Sequence, residues 1–249
     1  HTITFVCYHG RSGKAVKIGM KIRRLSGVEG SREARGVTAI VDVFRAFTCE
    51  PLMYHFGAAT IMLMHDIEEC RRFAGKALLV GEEDGHPIEG FDLANSPSQI
   101  ISEGRKRFEG RTVIHRTTSG VRGALAALEC SDKVVLASFV NAQATARYIL
   151  ASSPDEISIV AMGIAHVMVT PEDVLCGDCL ESLLTGVPYD HIGALERILG
   201  DESAQKFLRG DTFYYPREDV VFCLQRDLFA FALRAELKDG MVIAQKIEM

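Results

Sequence analysis

The chain has 249 residues and a net charge of −5, and these figures already exclude several kinds of protein. About 47% of the residues are hydrophobic, which is enough for a large buried core, but no apolar run reaches the roughly 18 residues of a membrane-spanning helix. The acidic balance argues against a general electrostatic attraction to nucleic acid. We therefore expect a globular protein that has neither nucleic acid nor a membrane as its partner.

The seven cysteines are odd in number and scattered, which argues against a disulfide framework and indicates a reducing compartment. We accordingly expect a cytoplasmic protein, and the first residues do not resemble a signal peptide. Cys176 and Cys179 form a CxxC pair, but the second pair or the closely spaced histidines of a structural zinc site are absent. We expect these two cysteines to be small buried residues on one helix.

Apolar, β-branched runs alternate with helical patterns from residue 37 onward. Before them, residues 1–36 are basic and irregular, and they could form one or two extra strands, a flap or a mobile arm. The most loop-like stretch is 27–36. Strands are predicted at 37–43, 59–64, 77–80, 112–115, 133–137 and 157–162. Helices are predicted at 48–56, 66–74, from 98 onward, at 119–128, at 142–151 and from 171 onward.

Residues 190–235 are predicted to be wholly helical, with breaks at Gly200 and Gly210, and 241–247 to return as an edge strand. Strands separated by helices indicate an α/β fold with a mainly parallel sheet covered on both faces. The right-handed crossover rule then places the loops that follow the strands on one rim, where such proteins bind ligands. We expect a single domain in which residues 37–186 carry the motifs and 187–249 form a helical part.

Polar residues follow the predicted strands at this rim. Asp42 ends an apolar strand, where a carboxylate is costly unless it meets water, a partner or a metal, and Arg45 can reach the same space. A purely structural Asp–Arg pair is the alternative. In the acidic loop 81–97, Glu82 and Asp92 are our preferred Mg²⁺ ligands, because Mg²⁺ usually takes one or two carboxylates. A solvated acidic turn is the alternative there.

Hydroxyls and a glycine at the start of the helix after the fourth predicted strand indicate a phosphate cradle. These residues are Thr117, Thr118, Ser119 and Gly120. Arg122 lies one turn inside that helix, where a guanidinium can bind oxyanions bidentately. Asn95, Ser96 and Asn141 also precede predicted helices, and we expect them to orient the other end of a substrate. Ser96 or Ser98 can cap the helix that follows, and Asn141 could be only an N-cap. The sequence contains no GxGxxG, HExxH or GxSxG motif.

These motifs, in this order and at similar spacing, resemble those of the 2-phosphosulfolactate phosphatase family (ComB). The matching segments are 41–46 (VDVFRA), 81–85 (GEEDG) with 90–97 (GFDLANSP), 117–122 (TTSGVR) and 138–142 (SFVNA). Glu172 and Asp173, followed by Cys176, resemble a further family segment. The resemblance covers roughly residues 37–186. The sequence departs from the family pattern at Glu83, Ala94, Ser119 and Val121, where the family has Arg, Gly, Asn and Thr.

The resemblance implies a three-layer α/β/α fold and an Mg²⁺-dependent phosphatase. Its substrate would be 2-phospho-3-sulfolactate, cleaved to 3-sulfolactate and phosphate in coenzyme M biosynthesis. We expect Asp42, Glu82 and Asp92 to hold the metal, and Arg45, Arg122 and the 117–119 segment to bind the phosphoryl group. Attack by water and a transient phosphoenzyme on Asp42 both remain open.

Two other hypotheses have a basis in the sequence. The excess negative charge of Glu83 and Asp84 could disrupt the anion site. The chain would then be a non-hydrolytic binding protein for a phosphorylated or sulfonated metabolite. A structural interaction protein is a weaker third candidate. An apolar helical face within 219–233 could form a homodimer, with core packing as its other use.

Overall fold

The computed structural model describes residues 20–164 and 169–249, and within them a large mixed sheet is flanked by helices. The strands are β1 (Lys21–Ser26), β2 (Val37–Val41), β3 (Thr60–Leu63), β4 (Leu78–Glu83), β5 (His86–Pro87), β6 (Leu93–Ala94), β7 (Thr112–Arg116), β8 (Lys133–Ala137), β9 (Glu156–Ala161), β10 (Phe231–Lys238) and β11 (Met241–Glu248). The helices are α1 (Gly27–Glu33), α2 (Ala46–His55), α3 (Ile67–Arg71), α4 (Pro97–Phe108), α5 (Gly120–Leu128), α6 (Ala142–Ala151), α7 (Pro171–Thr185), α8 (His191–Gly200), α9 (Glu202–Arg209) and α10 (Arg217–Cys223).

The sheet consists of two parallel blocks joined by an antiparallel hairpin. Its strand order is β1-β9-β2-β8-β10-β11-β3-β7-β4-β5, with β6 beside β4. Pairing is parallel among β1, β9, β2 and β8, and again among β3, β7 and β4. The hairpin β10–β11 pairs antiparallel with β8 on one side and with β3 on the other. The α/β class and the mostly parallel sheet are therefore as expected, but the sheet is mixed.

The hairpin corrects two predictions. Residues 231–235 are strand rather than helix, and β11 lies inside the sheet rather than at its edge. The segment 232–237 is rich in good helix formers, yet pairing with β8 and β11 overrides that propensity. The local signal is Asp239-Gly240, which occupies the two-residue turn with positive φ values of 50° and 77° and is typical of a β-hairpin.

The N-terminal part of the described chain also differs from expectation. Gly27–Glu33 forms α1 rather than a loop, and β1 lies parallel to β9 at the end of the sheet. The formation of β1 agrees with the extra strand considered for residues 1–36. The flap or arm considered for the preceding segment falls on residues 1–19, which lie outside the described residues.

The central strands are buried on both sides. Alternate residues of β2 enter different core clusters, with Ile40 packing against Phe47 of α2 and its neighbours, and Ala39 and Val41 joining a cluster that includes residues of α7 and α9. All five residues of β2 are buried, which explains why this strand is apolar except for Thr38.

Two smaller predictions concern the helices. Cys176 and Cys179 are buried free thiols on α7, which confirms their interpretation as small core residues. The expected apolar helical face in 219–233 does not form, because α10 ends at Cys223; Leu224, Phe229 and Phe231 are buried in the core. Among the helices that the structure describes, none is both long enough and apolar enough to cross a bilayer.

Candidate functional site

A cavity of about 210 Å³ opens at the rim where β2 and β4 end. Its described lining combines acidic, cationic, polar and aromatic side chains. They are Asp42, Glu82, Asp84, Arg45, Lys206, Asn95, Thr118, Ser119, Phe44, Phe207 and Tyr215, together with Gly85, Gly163 and Ile164. The cavity suits a small polar metabolite, and several of the residues predicted from the sequence meet in it.

Asp42 follows β2 directly and is only 6% exposed. Its Oδ1 accepts a hydrogen bond of 3.0 Å from the N–H of Ala46 at the start of α2. Burial raises the pKa of Asp42 to about 7, the nearby carboxylates of Glu82 and Glu172 add to the rise, and the N–H groups of Ala46 and Gly120 oppose it. The buried carboxylate therefore has backbone donors but needs a cation to be fully stabilised as an anion.

Glu82 lies near the end of β4 and is 7% exposed. Its Oε1 accepts from the N–H of Thr118 at 2.6 Å, and its Oε2 accepts from the N–H of Gly85 at 2.6 Å and from the Thr118 hydroxyl at 3.1 Å. Gly85 belongs to a two-residue turn between β4 and β5, in which Asp84 and Gly85 have φ values of 48° and 83°. The hairpin turn and the segment after β7 thus fix this carboxylate at the cavity.

The N-terminus of α5 holds carboxylates rather than an open phosphate cradle. The N–H of Thr118 donates to Glu82, the N–H of Gly120 supports Asp42, and the N–H of Val121 donates to the Thr117 hydroxyl at 3.0 Å. A Cβ on Gly120 would lie 2.7 Å from Asp42 Oδ2, so glycine permits this close approach. Two amides of the predicted cradle, those of Thr118 and Gly120, therefore orient protein carboxylates.

Arg45 is 4% exposed and forms a buried ion pair with Asp219 of α10, with Nη1 and Oδ2 2.8 Å apart. The same nitrogen donates to the carbonyl of Tyr214 at 2.9 Å. Asp219 Oδ1 also accepts from the Ser96 hydroxyl at 3.0 Å and from the N–H of Ser98 at 2.8 Å. One carboxylate thus joins α10, the β2–α2 turn and the start of α4.

Asn95 lines the cavity and is oriented from behind by a buried histidine. Its Oδ1 lies 3.1 Å from His115 Nε2, and His115 Nδ1 lies 2.8 Å from Glu50 Oε1. Glu50 and His115 are fully buried, and burial raises the pKa of Glu50 while His115 opposes the rise. With its carbonyl facing His115, Asn95 keeps an NH₂ group that no described residue bonds, so this donor is available to a ligand.

The remaining predicted site residues are placed outside the cavity lining. Asp92 is exposed, accepts from the N–H of Leu79 at 2.9 Å and pairs with Arg107 at 2.6 Å. Arg122 lies half-buried on α5 and is not among the described lining residues. Asp92 therefore ties the acidic loop to β4 and α4 instead of facing the cavity.

Ser96, Thr117 and Asn141 are buried structural contacts in this structure. Ser96 caps α4, Thr117 accepts from the start of α5, and Asn141 uses its side chain on backbone groups. Its Oδ1 accepts from the N–H of Ser138 at 3.0 Å, and its Nδ2 donates to the carbonyl of Leu136 at 3.0 Å. Ser96 thus has the capping role considered as its alternative, whereas the Asn141 side chain makes no capping hydrogen bond to α6. None of the three residues is among the described lining residues.

Asp173, in the first turn of α7, bonds two backbone segments at the rim. Its Oδ1 accepts from the N–H of Val43 at 2.7 Å, and its Oδ2 accepts from the N–H of Gly163 at 2.8 Å. Neighbouring Glu172 accepts from the Ser203 hydroxyl at 2.7 Å. Both acids are buried, and they fix the turn after β2 and the start of α9 rather than only complementing the helix dipole.

The C-terminal helical part supplies lining residues that motif reading missed. Lys206 and Phe207 come from α9, and Tyr215 precedes α10. A Cβ on Gly85 would lie 2.1 Å from the Tyr215 hydroxyl, so the β4–β5 turn packs closely against this wall. These residues lie outside the segment that carries motifs, and only their place in the fold brings them to the cavity.

Asp42 and Glu82 are the carboxylates best placed to hold a metal ion. Across 20–164 and 169–249, no three His, Cys, Asp or Glu side chains are grouped closely enough to bind an ion by themselves. Mg²⁺ usually takes one or two protein carboxylates and completes its shell with water and substrate oxygens, so this pair fits Mg²⁺. The pair does not fit a structural zinc site, which needs a closed set of Cys or His ligands.

The buried ion pair predicts a large stability effect. Asp219→Ala should lower the free energy of unfolding by about 3–5 kcal/mol, because Arg45 would be left buried without its counter-charge. Urea denaturation measures the change. Asp211→Ala is the matched control, since the Asp211–Arg209 pair is exposed and should contribute at most about 1 kcal/mol. A loss below about 1 kcal/mol in Asp219→Ala would contradict the interpretation.

The Glu50–His115 pair predicts a pH-dependent effect. His115→Leu should destabilise the protein by about 2–4 kcal/mol, because it leaves Glu50 buried without its hydrogen-bonding partner. Loss of His115 raises the folded-state pKa of Glu50 further above its unfolded-state value, so the destabilisation should grow as the pH rises towards that folded-state pKa and then level off. Unfolding measured at about pH 5 and about pH 8 tests the sign. Adding Glu50→Leu should recover part of the loss, and strictly additive effects would argue against the pairing.

The chain matches a known family over most of its length. A sequence model described as 2-phosphosulpholactate phosphatase matches residues 25–236. A protein of Bacillus subtilis named probable 2-phosphosulfolactate phosphatase is 30% identical over 231 residues, covering 90% of this chain and 96% of the relative.

Relatives with the same name show higher identity over shorter stretches. The protein of Caldicellulosiruptor saccharolyticus is 39% identical over 144 residues, covering 55% of this chain and 57% of its own length. The protein of Deinococcus radiodurans is 40% identical over 130 residues, covering 51% of this chain and 53% of its own length. Together with the family match, these similarities establish that the chain belongs to the 2-phosphosulfolactate phosphatase family.

Proposed function

We propose that the protein is a phosphatase that hydrolyses a small acidic phosphomonoester, with 2-phospho-3-sulfolactate as its substrate and 3-sulfolactate and phosphate as its products. One observation carries the proposal: in a chain of this family, the carboxylates of Asp42 and Glu82 meet the cations of Arg45 and Lys206 in one cavity. Such a cavity can bind a divalent cation and a substrate with several anionic groups.

Mg²⁺ is the proposed cofactor, held by Asp42 and Glu82. Both carboxylates are buried, and both are oriented by backbone N–H groups at the start of α5. When bound, the ion supplies positive charge to the phosphoryl oxygens while the ester bond breaks. Asp92 is left out of the set, because its oxygens bond Leu79 and Arg107 away from the cavity.

The chain's own residues position the substrate, which is most of what phosphoryl transfer requires of a protein. Asn95 and Ser119 line the cavity, and the Asn95 NH₂ group and the Ser119 hydroxyl can donate to phosphoryl oxygens. Arg45 also lines the cavity, but Asp219 balances its charge, and its Nη1 is bonded to Asp219 and to the carbonyl of Tyr214. Attack by water and a phosphoenzyme on Asp42 are both compatible with this arrangement.

Glu83 bears on the alternative of a non-hydrolytic binding protein. Its side chain is 57% exposed and pairs with Arg116 at 3.3 Å, and it is not among the described lining residues. Glu83, which stands where the family has Arg, therefore adds no negative charge to the cavity wall. Asp84 does line the cavity and does add such a charge. The placement of Glu83 supports hydrolysis over the binding-only alternative.

The expected setting of the enzyme belongs to the same proposal. It comprises the three-layer α/β/α arrangement, a cytoplasmic location, which the free cysteines support, and a role in coenzyme M biosynthesis. A homodimer stays a prediction, without support from the helical face on which it was based.

The first test is release of phosphate from 2-phosphosulfolactate and a panel of phosphomonoesters in the presence of Mg²⁺. Asp42→Asn should lower kcat/KM by at least about 100-fold, because it removes a charge placed to hold the ion. The control Asp211→Asn, an exposed acid on the protein surface, should behave like the wild type. Turnover of Asp42→Asn within about threefold of wild type would remove Asp42 from the proposed site.

The second test is removal of metal. Dialysis against a chelator should abolish phosphate release, and Mg²⁺ should restore it. Mg²⁺ should also raise the thermal midpoint of the wild type, because an ion that binds the folded state stabilises it, and it should raise that of Asp42→Asn less. Full activity in the chelator, with no thermal shift on adding Mg²⁺, would contradict the proposed cofactor.

A further inference from the structure

Lys206 is a partly buried cation in the cavity wall whose charge is not paired within the described chain. It comes from α9, and its Nζ lies 5.3 Å from the ring centre of Phe207 and 4.9 Å from that of Tyr215. The structure shows neither an ion pair nor a hydrogen bond from Lys206 to any described residue. The carboxylates of Glu172, Glu82 and Glu202 influence it electrostatically from a greater distance.

The other cation of the lining differs in this respect. Arg45 Cζ lies 5.2 Å and 5.6 Å from the same two ring centres, but the guanidinium is neutralised by Asp219 at 2.8 Å. Both members of that pair are buried, so the charge of Arg45 is already balanced before a ligand arrives. Among the described lining residues, Lys206 therefore offers the positive charge that a ligand can still neutralise.

An ammonium group held away from water without a counter-ion is costly, and the burial of Lys206 lowers its pKa accordingly. An anionic group on the ligand would remove that cost. The aromatic rings beside Lys206 exclude water and so strengthen its attraction to an anion. The two carboxylates proposed to hold the ion lie at the ends of β2 and β4, whereas Lys206 belongs to α9.

We infer that Lys206 binds the anionic group that the substrate carries in addition to its phosphate. This inference rests on the proposed function and names its substrate class: small phosphomonoesters that bear a further sulfonate or carboxylate. Lys206 is then the residue by which the enzyme distinguishes such substrates from simple phosphomonoesters. It lies on α9, beyond the motif-bearing segment, so motif reading does not reveal it.

The test compares kcat/KM for several phosphomonoesters in Mg²⁺. The substrates are 2-phosphosulfolactate, 2-phospholactate, which lacks the sulfonate, 2-phosphooxyethanesulfonate, which lacks the carboxylate, and phenyl phosphate, which lacks both. Lys206→Met keeps the apolar stem and removes the charge. It should reduce the preference for 2-phosphosulfolactate over phenyl phosphate roughly 10- to 100-fold, mainly through KM.

Two further variants complete the design. Lys206→Arg should retain most of the preference, because it keeps the charge. Lys106→Met makes the same substitution at an exposed position of α4 and should leave the preference unchanged. If the loss appears with 2-phospholactate, Lys206 binds the carboxylate; if it appears with 2-phosphooxyethanesulfonate, it binds the sulfonate. An equal loss on every substrate, including phenyl phosphate, would overturn the inference and leave the phosphatase assignment intact.

Failure of the proposed function would look different. If the wild type hydrolysed none of these esters, calorimetry with 3-sulfolactate would still decide the role of Lys206. A Kd raised at least about tenfold in Lys206→Met but not in Lys106→Met would support the inference. An unchanged Kd in Lys206→Met, or no binding to the wild type, would overturn it.

Discussion

The ion pair between Arg45 and Asp219 is the contact on which the rest of the site depends. The two residues are 174 positions apart, one in the turn after β2 and the other in α10, and their side chains are 3% and 0% exposed. Asp219 also accepts from Ser96 and from the backbone of Ser98. A buried pair offsets the cost of its desolvation only when further hydrogen bonds satisfy it, as they do here. It fixes the C-terminal helices against the sheet rim, where α9 contributes Lys206 and Phe207.

The second feature that shapes the site is the N-terminal end of α5, which orients Asp42 and Glu82. A helix N-terminus carries unsatisfied N–H groups and attracts negative charge. Here the N–H of Gly120 supports Asp42 and the N–H of Val121 bonds the Thr117 hydroxyl, while the N–H of Thr118, just before the helix, bonds Glu82. This end of the helix therefore fixes two carboxylates at the cavity, as the proposed cation site requires. In the proposed function, Lys206 of the cavity wall then meets the remaining negative charge of the substrate.

Part of this arrangement could be predicted from the sequence, because it depends on residues that are neighbours along the chain. Buried strands such as β2 read as largely apolar runs, and polar residues at their carboxyl ends lie at the rim, which is where the structure places Asp42 and Glu82. Asp92 was not placed there, because a long loop does not fix the direction of its side chains. It pairs with Arg107, a partner that nothing in the loop's own sequence indicates.

Features that depend on distant partners could not be predicted in this way. Residues 232–237 have helical propensity and become a strand only because β8 and β11 flank them. Asp219 reads as an ordinary acidic residue in the first turn of a helix, and its role follows from Arg45. Lys206 belongs to a helix without a recognisable motif. Glu50 and His115 acquire their function only through contact with each other and with Asn95.

The central claim is that Asp42 and Glu82 form one cation site beside an anion-binding wall. The most direct measurement is a crystal structure of the protein with Mn²⁺ in place of Mg²⁺ and with 3-sulfolactate bound, using the anomalous signal of the metal to locate it. The account predicts an anomalous peak between the carboxylates of Asp42 and Glu82, with the ligand in the same cavity. A peak at Asp92, or a metal and ligand in separate places, would contradict it.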